Sequence, residues 1–342
     1  MRPEAAVISR SIGPGGDFQN IPEAIFRLWR SDLRQTHIAQ AWGPAQLVAA
    51  AGANFPHIIF SPQERIHPMW WKWIKWIIQH RNVHIVCSTQ AYKNLFVANG
   101  AIDRQCRVIS PAIDPDRLHP HDPDIRARLG FADDEVVLLA PGESFRHAGH
   151  VSSLWAAAIL NFLDRKYRVL IWGRGPMTNS LKQFTRAIGA PLLLVLAEQT
   201  IGMVDFEQIV PAADVVLSAA QPPSPVLPLA ICTAANLPIV TCESAEAREI
   251  LEGYPHARIE NSRNPRTLAE GAWELQLDVA QREAAAQSGF VVSERFSAPV
   301  FAARWSDLYK KAGAALASEL AASPNPSQNI AGLAVEKSIQ IT

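Results

Sequence analysis

The sequence predicts an α/β protein built from two parallel-sheet domains. Short apolar, β-like runs alternate with helical patterns along the chain. Many of these runs are continuously apolar rather than alternating, which suits strands covered on both faces. One segment, Pro111–Pro123 (PAIDPDRLHPHDP), breaks the alternation with proline and aspartate and marks a linker. The 342 residues suffice for two domains of ordinary size.

Taken in order, the first domain spans residues 1–112. Its strands are expected at Ala5–Ser9, His37–Ala41, His57–Phe60, Val83–Cys87 and Arg107–Ile109. Residues 113–134 form the linker. The second domain, residues 135–292, has expected strands at Val136–Ala140, Arg168–Trp172, Leu192–Val195, Val215–Leu217 and Ile239–Thr241. Helices of moderate length lie between the strands. Residues 293–312 hold a closing helix, Glu294–Lys311. From Gly313 the chain turns rich in Ala, Ser, Pro and Asn without a strong apolar period, so 313–342 is expected to be a flexible tail.

The composition narrows the function. Lys+Arg and Asp+Glu both number 32, so the net charge is zero, which argues against a nucleic-acid partner. Hydrophobic residues make up 48% and charged residues 19%, as in a well-buried globular protein. Cys87, Cys106, Cys232 and Cys242 are widely spaced and form no C-x-x-C, and Cys87 and Cys242 read as buried, reduced thiols. No signal-like segment and no run of about eighteen apolar residues is present, so the expected location is cytoplasmic.

The stretch Phe206–Leu251 (FEQIVPAADVVLSAAQPPSPVLPLAICTAANLPIVTCESAEAREIL) is the most informative. It resembles the donor-site segment of retaining GT-B glycosyltransferases of the glycogen-synthase and sucrose-synthase type, the "family 4" group. Ala213-Asp214-Val215, Ala234-Ala235-Asn236-Leu237-Pro238-Ile239-Val240 and Glu249-Ile250-Leu251 fall in register with that family. VHIVCSTQAYKNLFVANGAIDRQCRVISPAIDPDRLHP, EVVLLAPGESFRHAGHVSSLWAAAIL, YRVLIWGRGP and SERFSAPVFAARWSDLYKKA extend the likeness from about Val83 to Ala312. The resemblance implies two Rossmann-like domains facing one cleft, with the closing helix returning to the first domain. It also implies transfer of a sugar from a nucleotide-diphosphate donor without a metal.

The family positions that handle donor charge are altered here. Its loop "G-R-x-x-x-x-K-G" becomes Gly142-Glu143-Ser144-Phe145-Arg146-His147-Ala148-Gly149, with Glu143 for the arginine and Ala148 for the lysine. Its paired glutamates become Pro223 and Ile231. Its "H-x-H-G" stretch in the first domain falls on Gln40-Ala41-Trp42-Gly43. A glutamate facing a diphosphate repels it unless paired, and Arg146, His147 and Arg174 are the replacement cations, since arginine can grip phosphate bidentately. The plain alternative is that Arg146 and His147 are solvated and pair with Glu143. Gly173-Arg174-Gly175-Pro176 follows an apolar strand, either at the nucleotide or as a tight turn alone. Gln221-Pro222-Pro223-Ser224-Pro225 is stiff, and proline offers no N–H to a ligand. The donor and phosphate candidates are therefore Gly142, Glu143, Arg146, His147, Gly173, Arg174, Gly175, Ser218 and Ser224. No catalytic residue is named. His147 and His150 are three apart with no carboxylate or cysteine at ligand spacing, so no metal is expected, and no cofactor beyond the nucleotide sugar.

Pro68–Gln79 (PMWWKWIKWIIQ) stands apart. On a helix, Trp70, Trp73, Ile74, Ile77 and Ile78 share a broad apolar face opposite Lys72, Lys75 and Gln79. Tryptophan with lysine suits a membrane interface, so peripheral contact through Trp70, Trp73, Lys72 and Lys75 is one expectation; core packing of the tryptophans is the other. The sequence thus implies a glycosyltransferase acting on a glycan, lipid or small-molecule acceptor. Its alternative is an inactive relative that binds a sugar, nucleotide or protein.

Overall fold

In β5, Val136–Ala140 (VVLLA), all five residues are buried. They split by parity: Val137 and Leu139 join one apolar layer and Val136, Leu138 and Ala140 another. Side chains of a strand alternate between faces, so a continuously apolar run means a sheet packed on both sides. Each such Val or Leu stabilises the fold by about 1.5–3 kcal/mol when fully buried.

The computed structural model describes residues 21–30, 38–62, 66–118, 124–163, 166–173, 175–222, 226–277, 295–321 and 339–341. Contacts divide the chain into one unit of Met1–Ser110 with Ala302–Thr342 and a second of Pro111–Phe301. Residues of the expected linker, such as Ile113 and Ile125, belong to the second unit's core, and Ile113 donates to Phe296 O at 2.7 Å.

The first unit holds a parallel sheet in the order β11-β1-β2-β3-β4. Its strands are β1 (Ile38–Ala41), β2 (His57–Phe60), β3 (Asn82–Cys87), β4 (Cys106–Val108) and β11 (Ile339–Ile341). Its helices are α1 (Ile21–Arg30), α2 (Pro44–Gly52), α3 (Trp71–His80) and α4 (Gln90–Ala98). Thr89 caps α4 by accepting from Tyr92 N at 3.1 Å, the ordinary role of threonine at a helix start. The closing helix, α13 (Ala298–Ala321), begins in the second unit and continues in the first. It runs past Gly313, where the sequence suggested a tail; alanines dominate its last turns and alanine is the best helix former. The expected strand Ala5–Ser9 lies outside the described residues.

The second unit is a six-stranded parallel sheet in the order β10-β9-β8-β5-β6-β7. After β5 come β6 (Tyr167–Ile171), β7 (Leu194–Leu196), β8 (Val215–Ser218), β9 (Ile239–Cys242) and β10 (Ala257–Glu260). Its helices are α5 (Ile125–Arg128), α6 (His150–Asn161), α7 (Thr178–Ala187), α8 (Ala197–Ile201), α9 (Phe206–Ile209), α10 (Val226–Ala234), α11 (Ala245–Ile250) and α12 (Pro265–Leu277). Pro191 opens a 3-10 turn, Pro191–Leu193, so β7 starts two residues later than the apolar run suggests. The sequence reading lacks β10 because Arg258 and Glu260 interrupt its apolar pattern. In place they pair with each other on the outermost strand.

Asp214, of the Ala-Asp-Val motif, has a structural task. Its Oδ2 accepts from Val137 N at 2.7 Å and from Arg126 at 3.1 Å. Arg126 also donates to the carbonyls of Ala212 and Glu135. The carboxylate therefore ties the entry of β8 to β5. Asn236 holds φ 58° just before Leu237-Pro238, a left-handed conformation that asparagine tolerates better than most side chains.

Candidate functional site

In the second sheet the chain winds outward from β5 in both directions: β6 and β7 on one side, β8, β9 and β10 on the other. In open α/β sheets ligands settle beyond the carboxyl ends of the strands where the winding direction reverses. That place is the exit of β5 beside the exit of β8.

The exit of β5 is Pro141–Gly149. Gly142 takes φ 99° and Gly149 φ 73°, values that suit glycine. A β-carbon on Gly149 would sit 2.0 Å from Ala219 O, so the loop lies directly on the chain leaving β8. Gln221 N donates to His147 O at 2.8 Å and adds a second tie. On the other side the loop locks to the Gly173–Gly175 turn. Ser144 Oγ donates to Gly173 O at 3.1 Å and Met177 N donates to Ser144 O at 2.9 Å. A β-carbon on Gly175 would sit 2.6 Å from Ser144 O. Gly175 is thus needed for close approach, whereas a β-carbon on Gly173 would meet Glu143 alone, its side chain nearest at 3.2 Å; Ser144 is fully buried as the latch.

His150 anchors the loop from below. It is 3% exposed and its Nε2 lies 3.0 Å from Glu143 O. A carbonyl only accepts, so Nε2 carries the proton and donates. Burial pushes the imidazole pKa down to about 4, against the partial support of the Glu143 and Gly142 backbone. The ring is therefore neutral near pH 7. Its Nδ1 is buried without a partner, as is Ser218 Oγ at the end of β8.

Gly149 is also the N-cap of α6 and supplies no capping side chain. Ser152 N and Ser153 N turn back to Gly149 O at 2.9 and 3.4 Å. A helix start without a side-chain cap offers backbone N–H groups and a positive dipole end to an anion. Arg146 stands on the 3-10 turn Arg146–Ala148 immediately before it. Arg146 is exposed and has no ion pair among the described residues. His147 stacks on Phe145 with ring centroids 5.6 Å apart.

The remaining expected residues divide as follows. Gly142, Glu143, Arg146, His147, Gly173, Gly175 and Ser218 lie on the loops and strand end just described. Arg174, Pro223 and Ser224 lie outside the described residues. Ala148 is buried, and Ile231 is 1% exposed in the core beside Leu229, Ala230 and Cys232. Ser144 and His150, which hold the loop, were not singled out from the sequence as site residues; their neighbours across the fold are what reveal them.

In the first unit, Gln40 and Trp42 close the end of β1 by packing. Tyr309 donates its hydroxyl to Gln40 Oε1, and burial pushes that phenol up to about 12. Trp42 meets Trp305 at 6.2 Å, and Trp305 meets Tyr309 at 5.8 Å. Trp70 is buried in the core with Ile74, Ile77 and Ile78, which removes it from the expected membrane-contact set. Trp73, Lys72 and Lys75 are exposed.

A cavity of about 430 Å³ lies beside β7 and includes Arg168, Lys182 and Arg186 in its wall; none of the expected site residues lines it. Among the described residues, no group of three or more His, Cys, Asp or Glu is placed to hold a metal. No helix among them is long and apolar enough to cross a membrane.

No protein-family model matches the chain, and no curated protein sequence matches it. Solved structures do. Anabaena HepE in complex with UDP-glucose superposes with a TM-score of 0.72 at 17% identity, over 85% of this chain and 82% of that one. A glycosyltransferase from Rickettsia africae gives 0.66 at 13% identity, over 88% and 83%. Sucrose-phosphate synthase from Thermosynechococcus elongatus gives 0.69 at 16% identity, over 87% and 79%. At these identities the likeness establishes the fold, the GT-B fold of two parallel α/β sheets.

Proposed function

We propose that this protein is a glycosyltransferase that takes a sugar from a nucleoside-diphosphate donor. The observation that carries the reading is the loop Gly142–Gly149, which ends in an uncapped α6 at the winding reversal of the second sheet, with Arg146, which has no ion pair among the described residues, beside it. The likeness to HepE, whose structure holds UDP-glucose, supports it.

In this reading the N–H groups at the start of α6 and the Arg146 guanidinium face the diphosphate. As the bond from the anomeric carbon to the β-phosphate oxygen breaks, negative charge grows on the leaving group. Donors already in place stabilise that charge without reorganising. Arg174 is the second cation of the proposal. Glu143 opposes the anion unless its charge is compensated. No metal or other cofactor takes part. Net retention of configuration and the four altered donor positions rest on the family resemblance, and the acceptor is a glycan, lipid or small molecule.

A second reading, binding without efficient turnover, rests on Ile231 and Ala148. Both are buried and neutral where the resembled family carries charge. Calorimetric titration with UDP, GDP and ADP, followed by assay with the matching nucleotide sugars, separates the two readings. Binding with turnover supports the enzyme, binding alone supports an inactive nucleotide-binding relative, and no binding removes the enzyme and leaves only a relative that binds a sugar or a protein.

A further inference from the structure

We propose that the outer face of α3 docks on an anionic lipid bilayer. The inner face of this helix is spent on the core, where Ile74, Ile77 and Ile78 are at most 3% exposed. Its outer face carries large apolar side chains into water. Met69, on the preceding 3-10 turn, is 52% exposed, Trp73 49% and Trp76 52%. Trp73 and Trp76 are three residues apart and so lie on one side of the helix. Trp76 is held in place, stacked on the His80 ring at 5.0 Å, while His80 Nδ1 bonds to Trp76 O at 2.8 Å.

The charges on the turn and helix themselves have one sign. Lys72 and Lys75 are exposed, and neither has an ion-pair partner among the described residues. Pro68–His80 contains no Asp or Glu. The nearby Asp103 is paired with Lys93 at 2.9 Å.

This combination identifies the partner. The buried centre of a protein–protein interface is depleted of lysine, whereas the boundary of an anionic bilayer accommodates both groups. Indoles rest at the headgroup level with their N–H in the polar layer, and ammonium groups face lipid phosphates. Trp70 takes no part, because it is in the core. The proposal uses no residue of the second sheet and stands apart from the sugar-transfer reading.

Co-sedimentation with vesicles tests it. The protein should pellet with phosphatidylglycerol–phosphatidylcholine vesicles, less with phosphatidylcholine alone, and less as salt rises through the Debye screening range. Lys72→Gln with Lys75→Gln should weaken binding roughly tenfold or more, at about fivefold per lysine. Trp73→Ser with Trp76→Ser should weaken it similarly. Met203→Ser, at an exposed position in the other unit, should change nothing. Thermal melting verifies that the variants are folded, and the salt dependence of the unmodified protein tests the proposal should they not be. The proposal is overturned if the unmodified protein ignores anionic vesicles, or if both double variants bind as it does. It is also overturned if light scattering shows a dimer that the tryptophan variant dissolves, because the face would then cover a second copy.

Discussion

A methyl group at Gly149 would lie 2.0 Å from the Ala219 carbonyl oxygen, on a backbone at φ 73°. Left-handed backbone alone costs a residue with a β-carbon about 1–2 kcal/mol, and the clash adds to it. Gly149→Ala should therefore destabilise the second unit by more than about 2 kcal/mol and lower its melting by roughly 4–8 °C; an unchanged melt would mean that the loop is not seated on β8. His150 next to it makes a pH prediction. Its folded pKa of about 4 lies below the ordinary 6.5, so the unfolded chain binds the extra proton first. Stability from this neutral ring is complete above pH 6.5, falls as pH drops from 6.5 to 4, and is about 2 kcal/mol lower by pH 5. Denaturant unfolding at pH 7 and pH 5 should show that loss in the unmodified protein and a smaller one in His150→Gln. Equal pH dependence in the two proteins would contradict the assignment.

Helix α10 turns a buried apolar face to the core of the second unit. Ile231, the position that the family resemblance aligns with a second glutamate, is buried among Leu229, Ala230 and Cys232. Ile231→Glu should cost about 3 kcal/mol or more, because an unpaired carboxylate would enter an apolar layer. Urea unfolding that leaves the midpoint unchanged would show that the side chain reaches solvent. The strands were legible because apolar runs such as Val136–Ala140 feed two cores at once. β10 was not, since its Arg258 and Glu260 make sense only at a sheet edge beside each other. The turning glycines of the candidate site were legible from their spacing after apolar strands. The Ser144 latch was not, because its partners lie about thirty positions along the chain and meet it only in the folded sheet. On α3, periodicity placed Trp73 with the buried isoleucines, whereas the helix is rotated so that Trp73 and Trp76 face outward and Trp70 inward.

At the scale of the whole molecule, the second unit combines a winding reversal with a helix start that lacks a side-chain cap, and Arg146 stands on the turn before it; the proposed phosphate-bearing ligand rests on that combination. Fold and function are separate matters here, since the likeness to solved structures speaks to the first. The central claim is that a nucleoside diphosphate binds at Gly142–Gly149 of the second unit. Its most direct measurement is isothermal titration of UDP, GDP and ADP into the unmodified protein and into Arg146→Ala with Arg174→Ala. Charge-assisted hydrogen bonds contribute about 1.5–3 kcal/mol each, so the double variant should bind its nucleotide at least roughly tenfold more weakly while melting at the same temperature. Unchanged affinity in the double variant would place the nucleotide elsewhere, and no nucleotide binding by the unmodified protein would contradict the claim outright.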